Sequence, residues 1–149
     1  MPATKPLPSS ATLPGDPKAA TASPGDNDTS LATTAFVTAA LVAARSDTTA
    51  AYASPYAPDA DSHGFMAIIR ITMTGNLTLN VPTNGTAGQR IRYVLTASGA
   101  ERTITLGTGI KTPNGATFTG AVTSTHVRVI EIEKQDIGWL AVKNQQFTP

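Results

Sequence analysis

From Phe65 onward, apolar side chains recur at every second position, and no other feature constrains the fold as tightly. Ala67, Ile69, Ile71 and Met73 alternate with their neighbours, as do Leu77, Leu79 and Val81, then Ile91, Tyr93 and Leu95, then Ile104 and Leu106. Val127 and Val129 alternate with Arg128 and Ile130, and Leu140 and Val142 close the series. A period of two puts successive side chains on opposite faces of a strand. Turn formers separate the runs: Thr74-Gly75-Asn76, Thr83-Asn84-Gly85, Ser98-Gly99, Pro113-Asn114-Gly115 and Gln135-Asp136. Short strands at this spacing predict an antiparallel β-sandwich or jelly roll over residues 65–149, with Trp139 as its anchor. At this size a single core can hold a domain.

The rest of the chain follows other rules. Residues 1–27 contain Pro2, Pro6, Pro8, Pro14, Pro17 and Pro24, each fixing φ and lacking an N–H donor, so an extended arm is expected, pinned against another chain. Residues 28–50 lack both glycine and proline and read as a helix. Phe36, Val37, Ala40, Leu41 and Ala44 fall on one broad face, and Leu31, Ala35, Thr38 and Val42 on another. A helix apolar on two sides needs enclosure, and a short threonine-rich one is marginal alone. The expectation is an oligomerisation helix with Leu31, Phe36, Val37, Leu41 and Val42 at the subunit interface. Asp26 and Asp28 stand where a helix cap belongs, able to accept from the first-turn N–H groups and to suit the positive end of the helix dipole. A calcium loop would need further oxygen ligands at fixed spacing and a glycine that this stretch lacks. Residues 51–64, with turn formers and two X-Pro steps, read as a linker.

Charge sets the bounds on partners. The net charge is +1, which argues against a dedicated nucleic-acid binder, yet residues 1–64 hold three bases against six acids and residues 65–149 eight against four. No cysteine is present, so disulfides and thiolate metal sites are excluded. The N-terminal stretch lacks the apolar core of a signal peptide, and no run approaches the ~18 apolar residues of a membrane span.

The search for chemistry finds little. His63 lies in the linker and His126 opens a strand, without the spacing of a zinc site. There is no GxSxG motif. Thr105-Leu106-Gly107-Thr108-Gly109 lacks the lysine and hydroxyl of a P-loop and reads as a turn. Glu131 and Glu133 share one strand face, and Arg90 and Arg92 share another, a pattern also expected of solvated strand faces. No catalytic, cofactor or metal residue is assigned, and no enzyme is expected.

The segment Gly25-Asp26-Asn27, followed by Ala32-Thr33-Thr34-Ala35-Phe36-Val37, resembles one that recurs in bacteriophage tail fibres and related tail proteins, where it begins a helix shortly before a β-rich module. Leu77-Thr78-Leu79, Pro82-Thr83-Asn84, Gly88-Gln89, Arg102-Thr103-Ile104 and Trp139-Leu140 are similar to small β-modules of phage structural proteins. The resemblance implies a virion structural protein, a homotrimer assembled in the host cytoplasm. Residues 1–27 would dock on another virion protein, and the β-domain would be displayed for attachment to a host surface glycan or protein. The alternative is a capsid decoration protein or head fibre that stabilises the shell.

Overall fold

A computed structural model describes residues 34–115 and 118–148. The predicted arm, Asp26, Asp28 and Leu31 lie outside the described residues. The described residues divide between two units, with the boundary at Ala40 and Leu41. Besides two short 3-10 turns (Ala60–Ser62 and Pro113–Gly115), the described elements are a helix α1 (Thr34–Ala43) and nine strands: β1 (Arg45–Ala50), β2 (Met66–Met73), β3 (Leu77–Leu79), β4 (Arg90–Ala97), β5 (Arg102–Leu106), β6 (Ile110–Lys111), β7 (Thr119–Val122), β8 (Val127–Gln135) and β9 (Gly138–Phe147).

The protein is therefore mostly β, in two sheets. The larger has the order β1-β2-β4-β8-β9-β6 and the smaller β3-β5-β7. Their buried side chains form one core, with Ile69, Ile71, Met73, Ile91, Tyr93, Leu95, Ile130 and Ile132 from the larger sheet and Leu77, Leu79, Ile104 and Val122 from the smaller. Alternation on β2, buried at Ala67, Ile69, Ile71 and Met73, is the direct product of the period-two pattern. Trp139 is buried as expected, and a side chain at Gly85 would collide with its ring, so that turn has to come close.

The expected antiparallel order is corrected. β1 pairs parallel with β2, β2 parallel with β4, β3 parallel with β5 and β6 parallel with β9. Only β4–β8, β5–β7 and β8–β9 are antiparallel. The reason lies in the turns. After Met73 the chain does not fold back as a hairpin but crosses to the smaller sheet as β3, then returns as β4 beside β2. Parallel neighbours require such a crossover. The first half of the domain is thus a coil of rungs. Arg45 faces Met66 and Met66 faces Arg90 in the larger sheet, offsets of 21 and 24 residues. Tyr56 faces Leu79 and Leu77 faces Ile104 in the smaller, offsets of 23 and 27.

Two boundaries move as well. The helix expected over 28–50 gives way at Arg45, where Arg45-Ser46-Asp47-Thr48-Thr49 forms β1. Ser, Asp and Thr compete with helical backbone bonds, whereas threonine suits a pleated strand. The chain enters the sheet with Met66 N–H donating to Ala44 O at 3.1 Å. Nor are residues 51–64 a free linker. Tyr56 N–H donates to Thr78 O at 2.8 Å, Asn80 N–H to Tyr56 O at 2.8 Å and Ala60 N–H to Thr83 O at 2.9 Å, so the stretch extends the smaller sheet, and Ala60 is fully buried. On β8 the inward residues are Ile130 and Ile132, while Val127 and Val129 are only half-buried. On β9 a register shift near Glu131 and Ile132 leaves Val142 exposed.

Candidate functional site

The outer face of the larger sheet carries the most organised polar chemistry among the described residues. Successive turns of the coil start their strands on one level, Arg45 beside Met66 and Met66 beside Arg90, and Arg90 in turn faces Glu133 near the end of the antiparallel β8. Alternation then puts Arg45, Asp47, Ile68, Arg70, Arg90, Arg92 and Glu131 on the face away from the core. Because β4 and β8 run antiparallel in this register, Arg90 meets Glu133 and Arg92 meets Glu131 across the strands.

The contacts are close. Arg92 donates from Nε and Nη2 to Glu131 Oε2 at 3.0 and 2.9 Å. Arg90 Nη2 lies 2.6 Å from Glu133 Oε2, and its Nη1 3.8 Å from Glu131 Oε1. Both carboxylates are nearly covered, at 12% and 14% side-chain exposure, under guanidinium groups that stay about half exposed. Gln135 Nε2 donates to Glu133 Oε1 from the end of the same strand. At the sheet edge Arg70 donates from Nε and Nη2 to Asp47 at 2.9 and 2.8 Å. That forked bond holds the Asp47 carboxyl below its ordinary range, and both side chains are about half exposed, so salt screens the pair.

A cleft of about 280 Å³ opens where β1, β2 and β4 begin, lined by Arg45 and Asp47, by the apolar Met66 and Ile68, and by Arg92 and Glu131. The guanidinium of Arg45 is exposed and makes no hydrogen bond or ion pair to any described residue. The corner beneath is fixed by Gln89, only 4% exposed, whose Nε2 donates to Ala60 O, His63 O and Gly64 O at 2.7, 3.0 and 3.2 Å. Its Oε1 accepts from Thr86 N–H at 3.2 Å. One amide thus ties the first rung to the third.

The residues expected at a subunit interface are placed in part. Val37, Leu41 and Val42 on α1 are exposed, at 47%, 64% and 67%. The side chain of Phe36 lies outside what is described, and so do the cap candidates Asp26 and Asp28. His126 Nδ1 contacts Thr123 and, at 3.0 Å, Thr125, both close in sequence. The two histidines come together with no acid cluster: among the described residues no group of three or more His, Asp or Glu could hold a metal. No described helix is long and apolar enough to cross a membrane. The pairing of Arg90 and Arg92 with Glu131 and Glu133 brings together two features that sequence reading kept apart. The signal was present as an Arg-x-Arg run and a Glu-x-Glu run of equal spacing.

No family model, no curated protein and no solved structure matches this chain.

Proposed function

We propose that this chain is a non-enzymatic structural part of a bacteriophage particle: a short, trimeric tail fibre or tail appendage, anchored by residues 1–27 and displaying its β-domain for attachment to a host surface. The two sheets around one core are read here as a β-sandwich whose first half is a coil of parallel rungs; the four parallel pairings disfavour a jelly roll.

The observation that carries the reading is α1. Three of its large apolar side chains, Val37, Leu41 and Val42, are exposed in a single chain; Val37 ends, and Leu41 and Val42 closely follow, the Gly25-Asp26-Asn27 and Ala32-to-Val37 segment that resembles tail-fibre sequences. A ten-residue helix is too short to persist alone in water. Enclosure by the same helix of other copies removes that apolar surface from water. Threefold display also suits attachment, because several weak sites on one particle bind far more tightly together than singly.

Gold-labelled antibody against residues 45–148, imaged on purified particles of the phage that encodes the chain, tests the reading. Label at the tail is expected. Label spread over the shell would replace it with the capsid-decoration role, and unlabelled particles would overturn the virion assignment altogether.

A further inference from the structure

We infer that the cleft at the start of β1, β2 and β4 is a binding site for a single carboxylated sugar ring, a uronic acid being the simplest case. The inference rests on the attachment reading for its biological sense and on the cleft alone for its chemistry.

Three kinds of group converge there. Arg45 offers a whole guanidinium fork, since it has no partner among the described residues, and such a fork matches a carboxylate bidentately. Glu131 is different. Its Oε2 accepts both bonds from Arg92, while Oε1 has only the long 3.8 Å approach of Arg90, so that oxygen can still accept from a hydroxyl. Arg92 uses Nε and Nη2 on Glu131, which leaves Nη1 able to donate to a ring or hydroxyl oxygen. Met66, half exposed, and Ile68 supply an apolar floor for the C–H face of the ring.

An ordinary cross-strand ladder would satisfy its own charges. This one leaves a fork, an acceptor oxygen and a donor unspent around one apolar floor, which is the mixture that orients a polar ligand. The size agrees. Ligand pockets run upward from roughly 300 Å³, so a cleft of about 280 Å³ holds one ring and leaves the rest of any longer chain in solvent. A bare anion would use the fork and ignore the floor and Glu131. A neutral sugar would leave the fork idle.

The test is an NMR titration of the full chain, labelled with 15N, against glucuronate, glucose and acetate. Glucuronate is expected to bind with a Kd in the millimolar range, moving the Arg45 Nε–H and Ile68 N–H signals, with glucose and acetate at least about tenfold weaker. Arg45→Ala should weaken glucuronate about tenfold without moving the melting temperature, because the side chain is exposed, and Arg45→Lys should restore only part of the affinity. Glucose or acetate binding as well as glucuronate would overturn the inference, as would wild-type binding by both Arg45 variants.

A hyaluronan hexasaccharide distinguishes the source. Binding as tight as the free acid supports a surface polysaccharide as the ligand; binding of the free acid alone supports a soluble uronate. Failure here is separable from failure of the attachment reading. Glucuronate binding by a chain absent from particles would sink attachment and keep the cleft, and the reverse would sink the cleft alone.

Discussion

Arg92 on β4 places two guanidinium nitrogens on one oxygen of Glu131 on β8, at 3.0 and 2.9 Å, although the residues lie 39 positions apart in the chain. Glu131 is nearly covered, so the carboxylate depends on its cations. Removing Arg92 leaves only the distant Arg90 Nη1. Arg92→Met is expected to destabilise the fold by about 1–2 kcal/mol, discounted for the half-exposed guanidinium. A double-mutant cycle with Glu131→Gln, followed by urea unfolding, should give a coupling energy of about 1 kcal/mol. Strict additivity of the two substitutions would show that the pair contributes nothing.

Gln89 holds the rungs together through hydrogen bonds that no other side chain among the described residues supplies. Its amide faces three carbonyl oxygens, those of Ala60, His63 and Gly64. Gln89→Leu is expected to cost roughly 1–3 kcal/mol, because three covered or half-covered carbonyls lose this donor and Ala60 O keeps only the N–H of His63. Gln89→Glu should cost more at neutral pH, since a carboxylate would repel the same oxygens, and should recover partly in mild acid as it protonates. Thermal melts at pH 7 and pH 4.5 separate the two effects. A Glu variant as stable as wild type at both values would remove Gln89 from this role.

Tyr93 gives the alkaline limit. Its ring packs edge-on against Tyr56, centroids 6.4 Å apart, and its hydroxyl is buried with no hydrogen-bond partner among the described residues. Burial, with a smaller contribution from Tyr56, pushes the phenol well above its ordinary range. A phenol that titrates higher in the fold than its unfolded value of about 10 binds its proton more tightly when folded. Its contribution is therefore complete below pH ~10 and is lost as pH rises beyond that. Tyr93→Phe is expected to leave stability at pH 7 unchanged or raised by up to about 1 kcal/mol, since no bond is lost. It should also flatten, without abolishing, the fall in melting temperature between pH 9 and 11, because burial raises Tyr56 as well. An alkaline slope identical to that of the parent would count against it.

Much of the core could be read from alternation alone. Ile69, Ile71, Met73, Leu77, Leu79, Ile91, Tyr93, Leu95 and Ile104 are all buried on the strands where the pattern put them. Pairing direction was not legible, because a strand alternates in the same way whether its neighbour is parallel or antiparallel. Residues 45–60 do not read as part of the sheets for a related reason. Ser46, Thr48 and Ala50 face inward on β1 without looking like a core, and between turn formers and prolines Ala60 is buried and Tyr56 partly so. A fragment beginning at residue 65 would discard that first rung, which is why the antibody target starts at residue 45. The charged face was half legible. Each Arg or Glu pair announced its own strand face, but only the β4–β8 register brings the two pairs together.

Self-association through α1 is the claim on which the attachment reading depends, and sedimentation velocity of the full chain measures it most directly. The account predicts one species of about three times the 15.3 kDa chain mass at micromolar concentration. It also predicts that Leu41→Glu, on a side chain 64% exposed in the single chain, shifts the protein to monomer while leaving the β-domain melt unchanged. A wild-type monomer, or an oligomer indifferent to Leu41→Glu, would contradict it.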